Sequence, residues 1–208
     1  MSMKKYVDLQ INGYMGVDFA DPQLTADMFL ATADHIFASG TALFLPTIVT
    51  SSKEVYLRNL GIMYKAAESH GLLKNIPGAH LEGPFISRKP GAVGAHIPEY
   101  VREPDSKFFD EIMDLSNGYV TLLTVAPEVP GMDEFISHVA AKGVVVSCGH
   151  QLAQSEDLAR AANAPYFADI RALAETPRQD VGEGDLLLTM GAGDIAALSE
   201  IFGEALVK

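Results

Sequence analysis

What most constrains this chain is an alternation that recurs five times over residues 5–160. A short run rich in Val, Leu and Thr is followed each time by a longer segment with apolar residues at helical spacing. The runs are Tyr6–Ile11, Thr41–Val49, Ile76–Leu81, Tyr119–Val125 and Val144–Cys148. Leu24, Met28, Phe29, Ala33, Ile36 and Phe37 mark one amphipathic segment, and Phe108, Phe109, Ile112 and Met113 another. Ser51 or Ser52, Asp105 and Ser155 stand where helix caps belong, and Gly40, Gly71 and Gly143 stand where helices stop. Strand-then-helix repetition builds a parallel sheet, and nearly continuous apolar strands belong to a sheet covered on both faces.

Two architectures satisfy that pattern, a closed barrel and an open doubly wound sheet. The polar residues at the ends of the runs discriminate between them. Gln10 and Asn12, Thr47 and Thr50, His80 and Glu82, Glu128, and His150 each follow or close a run. A barrel gathers all such ends at one mouth, whereas an open sheet gathers only those beside its switch point. The expected class is therefore α/β: a partial or composite (β/α) TIM-like barrel of parallel strands with outer helices. Residues 1–164 form its main part. Residues 165–208 are expected to add further strand–helix units to the same sheet, with Asp185–Met190 as their clearest strand.

Composition narrows the partners. The net charge is −12 and no run of Lys or Arg occurs, which argues against nucleic acid and anionic membranes. A single cysteine, Cys148, excludes an internal disulfide framework and a Cys-rich zinc module. Within an apolar run it reads as an inert small hydrophobe. No segment approaches the ~18 apolar residues of a membrane span, and the N-terminus lacks a signal-peptide pattern. A soluble, cytoplasmic protein is expected.

The residues most suited to chemistry are Glu82, in His80-Leu81-Glu82-Gly83-Pro84-Phe85, and His150, in Cys148-Gly149-His150. A carboxylate and an imidazole from different strands make a usual zinc donor pair, and a catalytic site needs three protein ligands. His80 reads as a structural or supporting group. His96 lies in the long Gly/Pro loop after the third run, either reaching over the mouth to a substrate or simply exposed. Arg88 and Lys89 share that loop and could meet an anionic substrate or be solvated. Glu128 could be structural or catalytic. His35, His70 and His138 fall on helices or a helix end as ordinary exposed groups. Gly191-Ala192-Gly193-Asp194 lacks the third glycine of the dinucleotide fingerprint and reads as a tight turn.

These motifs together resemble the N-acetylglucosamine-6-phosphate deacetylase family of metal-dependent amidohydrolases. The matching stretches are Asp8-Leu9-Gln10-Ile11-Asn12-Gly13, Leu45-Pro46-Thr47 with Thr50-Ser51, His80–Phe85, Gly94-Ala95-His96, Ala126-Pro127-Glu128 and Gly149-His150. The resemblance implies a (β/α) barrel and a divalent metal, zinc foremost, with Glu82 and His150 as ligands. It implies that His96 and Gln10 bind the substrate, a phosphorylated amino sugar. Gln10 and Asn12 replace the His-x-His of many superfamily members, which suits one metal. The family's third ligand, a histidine on the next strand, has no counterpart, since no histidine follows His150. Asp169 and Asp194 are the remaining strand-end aspartates, and neither matches the motif of the family's catalytic aspartate. Residues 184–195 instead resemble the C-terminal end of the UDP-N-acetylmuramate–L-alanine ligase family, which implies a chimera.

Two functions follow. One is acetamide hydrolysis at an incomplete site with weak or no turnover. The alternative is a non-enzymatic hybrid scaffold whose site is vestigial. If the barrel is not closed within one chain, its edges need covering, which predicts a homo-oligomer.

Overall fold

The computed structural model describes residues 6–162. Its strands are β1 (Tyr6–Ile11), β2 (Gly13–Tyr14), β3 (Val17–Asp18), β4 (Thr41–Val49), β5 (Ala79–Glu82), β6 (Val120–Val125) and β7 (Val145–Cys148). Its helices are α1 (Ala26–Ala38), α2 (Lys53–Ser69), α3 (Ser106–Leu115), α4 (Met132–Ala140) and α5 (Ser155–Ala162), with a 3₁₀ turn at Pro98–Tyr100. None of these helices is long and apolar enough to cross a membrane.

β1, β4, β5, β6 and β7 lie side by side in that order, every neighbouring pair parallel. The sheet curls into half of a barrel, as the strand–helix repetition predicts. β2 and β3 form a small antiparallel hairpin after β1, which the apolar pattern does not announce. The third strand also begins later than its apolar run. Pro77 has no N–H to give a ladder. Ile76 is buried instead, and its carbonyl accepts the Tyr119 hydroxyl at 3.2 Å.

Three of the helices start where the sequence supplies an acceptor for their free N–H groups. Thr25 caps α1 through Met28, Ser52 caps α2 through Val55 and Asp105 caps α3 through Phe108. Such caps are worth about 1 kcal/mol each. Phe44, Ile48, Leu81 and Leu123 from the strands share one apolar core with Phe29, Leu60, Met63, Phe109 and Phe135 from the helices. A different layer is polar: the buried His80 ring lies 3.4 Å from the Thr47 hydroxyl and 2.8 Å from that of Thr124. His80 thus ties β4, β5 and β6 together, as a structural group.

One expectation needs correction here. Cys148 is exposed, because β7 is the last described strand of the sheet and not an interior one. The strand–helix units expected over 165–208, with Asp169, Asp194, the Gly191–Asp194 turn and the ligase-like stretch, lie outside the described residues.

Candidate metal centre

Glu82 ends β5, the central strand, and the backbone turns sharply after it. Gly83 has φ +87°, and a Cβ there would stand 2.2 Å from the Thr50 hydroxyl. Only glycine permits both the conformation and the approach. The Glu-Gly-Pro sequence thereby brings Glu82 and Thr50 to the same place at the ends of neighbouring strands.

His150 arrives from the turn after β7 with φ +51°, a left-handed conformation uncommon for a residue with a side chain. Glu128 holds that turn: one carboxylate oxygen accepts the Leu152 N–H at 2.7 Å. Its other carboxylate oxygen is buried with no hydrogen-bond partner among the described residues. His96 comes from the long connection between β5 and α3. Gly94 makes this approach close, since with φ +57° a Cβ there would stand 3.3 Å from the His150 ring.

These elements converge. His150 Nε2 lies 3.1 Å from Glu82 Oε1 and 3.1 Å from His96 Nε2. One donor atom from each of the three residues falls within 4.8 Å of the others. Glu82 and His96 are each only 8% exposed, and His150 is half-buried. Asn12 Nδ2 donates to the second Glu82 oxygen at 3.5 Å, a long contact. His150 Nδ1 donates to the Ala92 carbonyl at 3.0 Å. A carbonyl only accepts, so this bond fixes the proton on Nδ1 and leaves the neutral ring's Nε2 lone pair facing the cluster. Burial holds the His96 imidazole below the ordinary histidine range; nearby His150 adds to this and Glu82 opposes it. His80 is lowered by burial as well, again against the pull of Glu82.

The donor set fits a divalent metal. One carboxylate and two imidazoles are a known catalytic zinc set. The backbone carbonyl behind His150 is the kind of outer partner that orients metal-binding histidines.

Not every candidate joins the cluster. Gln10 is exposed on β1, and among the described residues no hydrogen bond ties its side chain to Glu82, His96 or His150. His35 and His70 are exposed, and His138 pairs with Asp110 at 2.7 Å. Lys89 is exposed. Arg88 lines a cavity with Ser51, Lys53, Arg102, Glu54 and Glu99, and its guanidinium donates to the Val101 carbonyl. Sequence reasoning did not find the Ala92 carbonyl or the specific use of Thr50. A backbone acceptor carries no sequence signature, and Thr50 was visible only as one strand-end hydroxyl among several.

No protein-family model matches the chain. It is similar to N-acetylglucosamine-6-phosphate deacetylase of Bos taurus, 38% identical over 152 residues, which cover 71% of this chain and 36% of that protein. The crystal structure of N-acetyl-D-glucosamine-6-phosphate deacetylase from Mycobacterium smegmatis matches with a TM-score of 0.67 and 29% identity, over 78% of this chain and 41% of that one. A mutant of that Mycobacterium smegmatis protein, in complex with N-acetyl-D-glucosamine-6-phosphate, matches with the same TM-score, identity and coverage. The chain spans little more than a third of the length of the curated mammalian relative.

Proposed function

We propose that this chain carries the metal-binding half of an amidohydrolase site directed at the acetamide of a phosphorylated amino sugar. The observation that carries the reading is the meeting of Glu82 and His150 at 3.1 Å, with the His150 proton committed to the Ala92 carbonyl. A site built to hold two side chains this way, from strands 68 residues apart in sequence, suits a cation. Glu82 and His150 are the ligands on this reading, and Asn12 steadies the carboxylate. A divalent metal of the zinc type, when bound, supplies Lewis acidity toward the amide carbonyl and an acidified water.

The substrate class comes from the relatives. Arg88 and Arg102 support it, since both line one cavity and neither has a carboxylate within 4.0 Å among the described residues. Gln10, at the far end of β1, is the substrate-side amide. His96 has two employments open to it, the substrate carbonyl or the metal. The exposed apolar residues Tyr6, Val7 and Val145 on the two outer strands keep a homo-oligomer within the proposal.

Among the described residues no further carboxylate hydrogen-bonds to the cluster. The reading includes slow turnover on the ground of the sequence, where neither Asp169 nor Asp194 matches the motif of the family's catalytic aspartate; lack of a positioned general base commonly costs about 10²–10⁴ in rate. The test is acetate release from N-acetylglucosamine 6-phosphate by the full chain with added Zn²⁺. Slow release that requires the metal and disappears in Glu82→Ala is expected. Release that is absent, or unchanged by Glu82→Ala, overturns the reading.

A further inference from the structure

We propose that the cavity formed by the β2–β3 hairpin and the end of β4 is the acyl subsite of this centre, and that it takes straight acyl chains longer than acetyl. The proposal rests on the metal-centre reading above and adds to it what lies on the acyl side of the amide bond.

The hairpin stands at the C-terminal end of β1, on the face where a barrel does its chemistry. Its base is fixed. The Phe19 N–H donates to the Asn12 carbonyl at 2.9 Å, and Phe19 is fully buried. The buried Asn59 amide on α2 donates to the Phe19 and Asp21 carbonyls at 2.9 and 2.8 Å. An anchored hairpin presents a preformed wall, yet this one carries Tyr14 and Met15, 42% and 69% exposed. With Val17, Val49, Asn12 and Asp18 they line a cavity of about 570 Å³. Apolar walls with a few polar groups, at that size, are what a small ligand occupies.

Two observations place the cavity beside the metal centre. Val49 pairs with Glu82 across β4 and β5, so both side chains stand on one face of the sheet. Asn12 lines the cavity, and its Nδ2 reaches Glu82 Oε2 at 3.5 Å. An amide carbonyl held at the Glu82 cluster projects its acyl chain past Val49 toward the hairpin.

Charge decides which end of the substrate goes there. Among the lining residues the one charged group is Asp18, whose Oδ1 accepts the Ala20 N–H at 2.7 Å. It repels a phosphate and is indifferent to a hydrocarbon chain. The cavity lined by Arg88 and Arg102 shares no residue with this one. It adjoins the centre through Ser51, the neighbour of Thr50, which contacts His96. The two cavities sort the ends of an N-acylated sugar phosphate, the anionic end to the arginines and the apolar end to the hairpin. N-propionyl and N-butyryl amino sugar phosphates then join the N-acetyl compound as ligands.

The test loads the full chain with Co²⁺ and measures by calorimetry the affinity of straight-chain alkyl hydroxamates, which chelate a metal and project a chain as an acyl group does. From acetohydroxamate to hexanohydroxamate, affinity should rise about three- to fourfold per methylene, the gain from burying one CH₂. Met15→Asn, which suits the left-handed turn at φ +52° and removes the apolar side chain, should flatten that rise. Val49→Thr, which keeps the shape of the wall and adds a hydroxyl, should flatten it too. The readout is the gain per methylene, which a general loss of stability does not move. Co²⁺ bound with no gain along the series, or a gain that both variants leave intact, overturns the acyl subsite and leaves the metal centre standing. A chain that binds no Co²⁺ overturns the metal-centre reading and this inference with it.

Discussion

The centre of the sheet and its two rims are built differently. Every residue of β5 is buried. In β1 no residue is, and in β7 the two end residues are exposed. Leu81 is fully buried, whereas Val7 and Val145 are 63% and 64% exposed. Glu82 belongs to the rigid centre. Asn12 and His150 follow the two outer strands, and His96 comes from a loop. The site therefore joins groups of unequal local stability. A ligand held among them would tie the least stable segments, at the rim, to the best-packed strand.

The sharpest way to break this contrast is to empty the centre. Leu81→Ala removes a fully buried side chain between strand and helix layers. It should lower unfolding free energy by about 2–5 kcal/mol in urea titration. A loss below about 1 kcal/mol would mean that the centre is no better packed than the rims.

Metal addition sharpens the contrast from the other side. At a free Zn²⁺ concentration of 100 times Kd, stabilisation of about 2.7 kcal/mol is expected from mass action alone. By hydrogen exchange, amides of β5, which open only with the whole fold, should gain protection equal to that stabilisation, and residues 92–96 and 149–152 should gain as much, since their local opening breaks the site. A gain at β5 without one at 92–96 and 149–152 would show that these segments open without releasing the metal.

Much of this contrast is legible in the sequence. The five strands and their order follow from the apolar runs, and two strands, 6–11 and 41–49, begin and end at the residues the pattern marks. Glu82 and His150 stand out because chemistry-bearing residues at strand ends are rarely accidental in a parallel sheet. Burial at the rims is not legible. Val144-Val145-Val146 reads as interior, yet Val145 is exposed because the strand has one described neighbour rather than two. Nor is the approach of His96 to His150 legible, since 54 residues separate them. Their meeting depends on a loop path set by Gly94 and on a bond to a backbone carbonyl.

A smaller effect tests the link between centre and site. Tyr56 is fully buried on α2; its hydroxyl accepts the Ser51 N–H at 3.1 Å and donates to the Val49 carbonyl at 3.3 Å. It pins the residues on either side of Thr50. Burial pushes the phenol's pKa up, so the group stays neutral. Tyr56→Phe should cost about 1–3 kcal/mol, the penalty of leaving buried backbone groups unpaired. It should also weaken Co²⁺ binding if the segment 49–51, whose Thr50 contacts His96, supports the metal centre. A stability loss with unchanged Co²⁺ affinity would separate the fold's centre from the site.

The smallest expected effect concerns the rim itself. Val145 is exposed, so Val145→Thr exchanges a methyl for a hydroxyl in contact with water. Both residues are β-branched and suit a strand. Unfolding free energy should change by less than about 0.5 kcal/mol, the range of ordinary surface substitutions. That holds while the face is open. If a second copy of the chain covers the outer edge of β7, Val145 is buried in the assembly and the hydroxyl loses its water. The cost then rises toward the ~1–3 kcal/mol of a polar group buried without a partner. It also depends on protein concentration, because association is linked to stability. Measuring the Val145→Thr effect at two concentrations a hundredfold apart separates the two cases. A small, concentration-independent change keeps the rim as the weakly packed region. A larger change that grows with concentration makes the rim a subunit contact, and the contrast between centre and edge becomes a property of the isolated chain alone.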